Sequence, residues 1–137
     1  MLRSDLIEDV LTPIYNALEM GSGVEQGKGI SPHKLAFLYL VFAQAVLVDL
    51  TLPAYHEDGE TFHYYARAAL ALRSFVDAPT VETVQAVLLM AHYRSCAGER
   101  YTKDSVWALL SLGCKLAQSV SIGLFMFTGS RIDFYAQ

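Results

Sequence analysis

Apolar residues recur along the chain at the three- and four-residue steps of α-helices, and the alternating pattern of β-strands does not occur. Segments rich in glycine, proline and polar residues separate the apolar stretches. This pattern predicts about five helices joined by short connections, which is typical of antiparallel helical hairpins packed in layers. We therefore expect an all-α fold, with helices over residues 4–18, 31–50, 58–75, 80–96 and 105–122.

The second predicted helix has the clearest start. Ser31 suits the N-cap position, and Pro32 suits the first helical position, where its missing N–H is not needed. Apolar residues then cover nearly every face as far as Leu50, so we expect this helix to be central. Before it, Gly21 to Gly29 form a glycine-rich stretch that predicts a loop.

Each of the last three predicted helices carries an apolar stripe that we expect to be buried. For residues 58–75 the stripe is Phe62, Tyr65, Ala66, Ala69 and Leu72, with Glu60, His63, Arg67 and Ser74 facing solvent. For residues 80–96 it is Val81, Val84, Leu88 and Ala91, widened by Val87, Leu89 and Met90. For residues 105–122 it is Val106, Leu109, Leu110, Gly113, Leu116, Ala117 and Val120. Gly113, Cys114 and Ala117 are small, which favours close approach of a partner helix.

The helical pattern stops near the C-terminus. Phe125, Met126 and Phe127 follow Gly123 and Leu124 without a helical period. Glycine suits the left-handed conformation at a helix C-terminus, so we expect the last helix to end at Gly123. Residues 125–137 are then predicted to be an unstructured or aberrant tail.

Composition narrows the function classes. The chain has 137 residues, of which 53% are hydrophobic and 18% charged, and its net charge is −4. Average domains carry about 25% charged residues, so this chain is short of charge for its size. Either it buries an unusual share of its surface, or part of what covers it is missing. The negative charge and the scattered Lys and Arg argue against nucleic-acid binding by this segment. The longest apolar run, Leu35 to Val48, is shorter than the about 20 residues of a membrane span, so we predict no membrane association.

One group of residues has the spacing of metal ligands. His56, Glu60 and His63 would share one helical face, and Glu60 to His63 has the Glu-x-x-His form of di-iron bundles. Such sites need a second copy of the motif and further inward-facing Glu residues, which the sequence does not contain. A polar helix surface is the favoured interpretation, and we assign no metal-binding residue.

No other motif or residue supports an enzymatic reaction. Gly27-Lys28 is followed by Gly29 where a phosphate loop has Ser or Thr, so a linker is favoured. Cys96 lies between Arg94 and Arg100, which could lower a thiol pKa, but a surface cysteine near a helix end is the simpler account. Trp107 could belong to a pocket, although a core aromatic is the commoner case. We assign no catalytic or cofactor-binding residue and expect no enzymatic activity.

Two cysteines, Cys96 and Cys114, are too few and too far apart for a zinc site or a disulfide framework. They fit a reducing compartment, the cytosol or the nucleus.

The segment "YYARAALALRSFVDAPTVETVQAVLLMAHY", from Tyr64 to Tyr93, is followed by "SVWALLSLGCKLAQSVSIGL", from Ser105 to Leu124. Together they resemble the middle homology region of fungal-specific transcription factors, proteins that usually carry a binuclear zinc cluster near the N-terminus. The earlier stretches "LIEDVLTPIY" and "SPHKLAFLYLVFAQAVLVDL" extend the likeness. Each piece alone is an apolar helix, and their order and spacing make the resemblance specific.

The resemblance implies an all-helical regulatory domain of a nuclear transcription factor without a catalytic role. Such regions are thought to modulate activity through effector sensing, partner binding or inhibition of the activation segment. The positions that match the family are mostly structural: Ala66, Arg67 and Ala68 in the third helix, Gln85 and Leu88 in the fourth, and Gly113, Ala117, Gln118, Gly123 and Leu124 in the fifth. Gln85 is expected to bond an interior partner.

The chain departs from the family at two places. His-Arg-Asp and further helices generally follow the Gly-Leu pair, but Phe125 follows here, and the six cysteines of the zinc cluster are absent. Residues 1–124 are therefore expected to be a partial regulatory domain, either from a truncated gene model or from a degenerate paralogue. The only zinc would belong to the absent cluster, through which alone the protein would contact DNA, and this chain is expected to hold no cofactor.

The leading hypothesis is a regulatory fragment of a fungal zinc-cluster transcription factor, located in the nucleus. The alternative is a free-standing helical module that binds protein helices. In both cases a protein partner or a second copy of the chain is expected to bind through an exposed apolar face.

Overall fold

The structure is a computed structural model that describes residues 11–12 and 31–135, with side chains as far as Thr128. Within these residues it is all-α and contains no strand, which confirms the predicted fold class. The first predicted helix and the glycine-rich loop lie outside the described residues, except for Leu11 and Thr12. The described helices are α1 (Pro32–Val48), α2 (Glu57–Ala71), α3 (Val81–Cys96), a 3₁₀ helix (Gly98–Arg100) and α4 (Lys103–Tyr135).

The chain divides into two compact units, Met1–Arg73 and Ser74–Gln137. The first contains α1 and α2, and the second contains α3, the 3₁₀ helix and α4. That residues 1–124 form one partial domain stays a prediction.

In the first unit, α1 and α2 form an antiparallel hairpin. The ring of Phe42 lies 5.5 Å from that of Phe62, and the ring of Tyr39 lies 5.6 Å from that of Tyr65. The earlier residue of α1, Tyr39, meets the later residue of α2, Tyr65, and the later Phe42 meets the earlier Phe62. The two helices therefore run in opposite directions. Pro32 begins α1 as predicted. The last fully buried residue of α1 is Ala43, and Ala45 and Val48 are exposed, so the expected burial does not extend along the whole helix.

The buried face of α2 differs from the predicted stripe. Ala66 and Ala69 are buried as expected, but Tyr65 and Leu72 are 46% and 74% exposed. The buried residues of α2 are Gly59, His63, Ala66, Ala69 and Leu70. Most of these side chains are small, which lets α2 lie close to α1, while the larger rings pack at the side of the hairpin.

Helix α3 begins as the sequence predicts. Thr80 is the N-cap, its hydroxyl accepts from Thr83 N at 3.4 Å, and Thr80 N donates to the Thr83 hydroxyl at 3.0 Å. This reciprocal pair is a capping box, which satisfies two of the N–H groups that a helix start leaves open.

The predicted inner stripe of α3 is wrong at two positions. Val81 is 52% exposed and Leu88 is 36% exposed, whereas Ala91 is buried as expected. The buried residues are Thr83, Ala86, Val87, Met90, Ala91 and Tyr93. Val87 and Met90, which widened the predicted stripe, are also buried as expected, so the buried face lies on their side of that stripe.

Helices α3 and α4 form the second hairpin, and here the predicted stripe of α4 is confirmed. Gly113 and Leu116 are buried, and the other stripe residues are half-buried, whereas Ser111 and Lys115 are exposed. Gly98 supplies the turn with φ 72°, a conformation that glycine adopts without strain. The close approach predicted at Gly113 is also confirmed, since a Cβ built there would lie 2.5 Å from Leu88 Cδ2. Cys114, by contrast, is exposed.

Helix α4 does not end at Gly123. It continues to Tyr135 and has 33 residues, so that prediction is wrong. Gly123 does not take a positive φ, and a single glycine inside a helix costs only about 1 kcal/mol relative to alanine. That residues 125–137 do not belong to the domain stays a prediction.

Candidate functional site

The three residues with the spacing of metal ligands, His56, Glu60 and His63, do not form a metal-binding cluster. His56 is the N-cap of α2, and its Nδ1 accepts from Asp58 N at 3.2 Å. His63 is buried at 2% exposure instead of facing solvent as predicted, while Glu60 is half-buried. Among the described residues, no group of three or more His, Cys, Asp and Glu side chains could hold a metal ion.

His63 was misplaced because polarity alone assigned it to the solvent face. It follows Gly59 by four residues and precedes Ala66 by three, so it lies on the small-residue face of α2. A second buried histidine, His33 of α1, has Nε2 3.2 Å from Arg73 O. Both imidazoles therefore belong to the interior of the first unit.

Cys96 is the last residue of α3 and is exposed, which confirms a surface cysteine at a helix end. Its sulfur lies 3.7 Å from the Ser95 hydroxyl and 3.9 Å from His92 Nε2. Arg94 stacks on the ring of Tyr101, with its guanidinium carbon 4.8 Å from the ring centroid.

The polar residue that α3 buries is Thr83, not Gln85. Gln85 is half-buried, while Thr83 is fully buried and its hydroxyl is used in the capping box. The capping sequence at Thr80 would have indicated this, because a Thr at the third helical position bonds back to the cap.

Trp107 is not a core aromatic. It is 67% exposed and lies beside the junction of α3, the 3₁₀ helix and α4, where it lines a cleft of about 640 Å³. Its position follows Val106 by one residue, which turns it about 100° from the inner stripe of α4. The strict periodicity of that stripe was the signal that could have placed Trp107 outside the core.

The C-terminal part of α4 carries a group of large exposed apolar side chains. Helix α3 has 16 residues and α4 has 33, so their lengths are about 24 Å and about 50 Å. A helix as short as α3 cannot cover both halves of α4. The exposed large side chains beyond the hairpin are Ile122, Leu124, Phe125, Met126 and Phe127, each 57% to 74% exposed. These five residues are called the apolar end of α4 below.

The same helix has the length and composition of a membrane span. Over Lys103–Thr128 its mean hydropathy reaches 1.4 in an 18-residue window, of which 11% is buried. It also carries Lys115 and Gln118, and Gly113 and Leu116 are buried within the hairpin. By length and composition alone this helix could cross a membrane, and the absence of membrane association stays a prediction.

The residues that carry the resemblance fall on both units. Ala66 and Gly113 are buried, Leu88 is partly exposed against Gly113, and Gly123 and Leu124 lie in the exposed part of α4. Comparison of the chain with protein-family models, with curated proteins and with solved structures gives no match.

Proposed function

We propose that this chain is a regulatory domain of a fungal zinc-cluster transcription factor, in which the DNA-binding module lies outside the chain. The observation that carries the proposal is the ordered likeness of the segments Tyr64–Tyr93 and Ser105–Leu124 to the middle homology region. Leu88 and Gly113 are two family-matching positions from different segments. Their contact across the α3–α4 hairpin supports the proposal, because unrelated apolar helices need not bring such positions together.

The apolar end of α4 gives this domain a surface for regulation. Exposed apolar patches beyond a few hundred Å² usually mark interaction sites. We infer that an activation segment or another protein binds there, and that this contact changes the output of the factor. No reaction is needed, and the domain acts by binding alone.

A transcriptional reporter tests the proposal. The chain is inserted in yeast between a heterologous DNA-binding domain and an activation domain, and a flexible linker replaces it in the reference fusion. We expect the chain to change reporter output several-fold at equal protein levels. Phe125→Asp with Met126→Asp should return output toward the linker value, since buried charges oppose docking of an apolar partner.

Val48→Asp is the matched control, because Val48 is 73% exposed and lies on α1 of the other unit. It should keep the output of the unmodified chain. Equal output from the chain and the linker would argue against a regulatory role. If Phe125→Asp with Met126→Asp gave the same reporter output as Val48→Asp, the apolar end would have no specific role in regulation.

The second candidate function is a free-standing helical module that binds a protein helix. The same apolar end favours it, since an exposed row of large side chains suits a helix-in-groove contact. The two functions differ in what the full-length protein contains, so the complete reading frame distinguishes them.

A further inference from the structure

A cleft of about 640 Å³ lies in the second unit, where α3 ends and α4 begins. Its volume falls within the about 300–1,000 Å³ that is usual for small-molecule sites. All its lining residues belong to one helical hairpin and its connection, so the cleft does not depend on the other unit. It is also separate from the apolar end of α4, which begins at Ile122.

One wall of the cleft is apolar. Val106, Trp107 and Leu110 line it from the first two turns of α4. Trp107 is 67% exposed, so its indole offers a broad flat surface to a ligand. This wall suits a flat or compact hydrocarbon body.

The lining also carries positive charge. Arg94 is half-buried and stacks on Tyr101, which holds its planar guanidinium in place. Lys103, at the start of α4, adds a second cation, and Glu99 is the acidic residue of the lining. The net charge of these three side chains is +1, which matches a singly charged anion. A carboxylate also fits the bidentate geometry that Arg offers.

We propose that this cleft binds a small monocarboxylate with an apolar, preferably aromatic, body. The carboxylate lies against Arg94 and Lys103, and the apolar body lies along Trp107 and Leu110. This site is independent of the transcriptional role proposed above, since it requires neither DNA nor the apolar end of α4.

The single tryptophan makes the test direct. Trp107 is the only Trp among the 137 residues, so emission excited at 295 nm reports on the cleft itself. The probes are 4-phenylbutyrate and its uncharged amide, neither of which absorbs at that wavelength. We expect a saturable change in Trp107 emission with the acid. The amide should bind about tenfold more weakly at low salt, because it lacks one charge-assisted contact.

Lys103→Gln and Arg94→Gln should each weaken binding of the acid several-fold and leave binding of the amide unchanged. Lys115→Gln is the matched control, because Lys115 is an exposed cation of the same helix outside the cleft. If Arg94→Gln lowers the helical circular dichroism, Lys103→Gln decides the question, since Lys103 is exposed. Equal affinity for acid and amide, an equal effect of Lys115→Gln, or no saturable change would overturn the proposal.

Discussion

Gly113 determines how closely α3 and α4 approach. A Cβ at this position would lie 2.5 Å from Leu88 Cδ2, 3.0 Å from Leu88 Cγ and 3.7 Å from Val87 Cγ1. Leu88 therefore packs on the glycine itself, although it is 36% exposed. Its exposure lowers the expected cost of Leu88→Ala below the about 2–5 kcal/mol of a fully buried leucine.

The Gly113–Leu88 contact predicts a strong coupling between substitutions. Gly113→Ala alone should change stability little, since the about 1 kcal/mol gain in helix propensity is offset when the new methyl displaces Leu88. In a Leu88→Ala background the clash is absent, and the same change should stabilise by about 1 kcal/mol. Urea denaturation of the four variants measures the coupling. Effects that add within about 0.5 kcal/mol would show that the helices are not in contact here.

Asp49, which follows α1, provides a pH-dependent contact. The hydroxyl of Thr51 donates to its carboxylate at 2.7 Å and the backbone N–H of Thr51 at 2.8 Å, and these bonds hold the pKa of Asp49 below its ordinary value of 3.8. Because the folded pKa is the lower one, the contribution to stability is fully present above the ordinary value and is lost as the pH falls through the folded pKa. Carbon-13 NMR titration should show this lowered pKa, and Thr51→Ala should move it upward. An unchanged pKa in Thr51→Ala would mean that the hydroxyl bond does not form.

For the helices, the sequence patterns predicted where a helix forms better than which face of the helix is buried. The break at Pro79 gave the start of α3, where the structure adds the capping box of Thr80 and Thr83, and the strict stripe of α4 gave its buried face. The face of α2 was predicted only in part, at Ala66 and Ala69, because large apolar rings were also expected inside, whereas most of the buried side chains are small. Periodicity could have placed Trp107 outside the core, but it does not tell which neighbours surround a side chain, so the shape and lining of the cleft could not be predicted.

The continuation of α4 through Gly123 is tested by a pair of glycine substitutions. A Cβ at Gly123 would meet nothing within 4 Å, so Gly123→Ala should stabilise the helix by about 1 kcal/mol. Gly98 has φ 72°, so Gly98→Ala should destabilise by about 1–2 kcal/mol. Helical circular dichroism and amide exchange measure both. If Gly123→Ala destabilised as Gly98→Ala does, the helix would end at Gly123 after all.

At the scale of the whole molecule, charge governs what the chain can bind unaided. The net charge is −4, and ten Lys and Arg are spread along 137 residues. Without a cluster of cations few phosphates can be neutralised, so we predict no sequence-specific DNA binding by this chain. A mobility-shift titration at low salt measures it. Binding in the nanomolar range that distinguishes one sequence from another would contradict the prediction.

If this chain is a regulatory domain of a zinc-cluster transcription factor, the mature transcript encodes a longer protein of that kind. Sequencing full-length cDNA across the coding region of residues 1–137 is the most direct measurement. The proposal predicts an in-frame six-cysteine cluster upstream, or a His-Arg-Asp continuation directly after Gly123-Leu124. A transcript that encodes these residues between in-frame stop codons, with neither feature, would contradict it and leave the free-standing helical module.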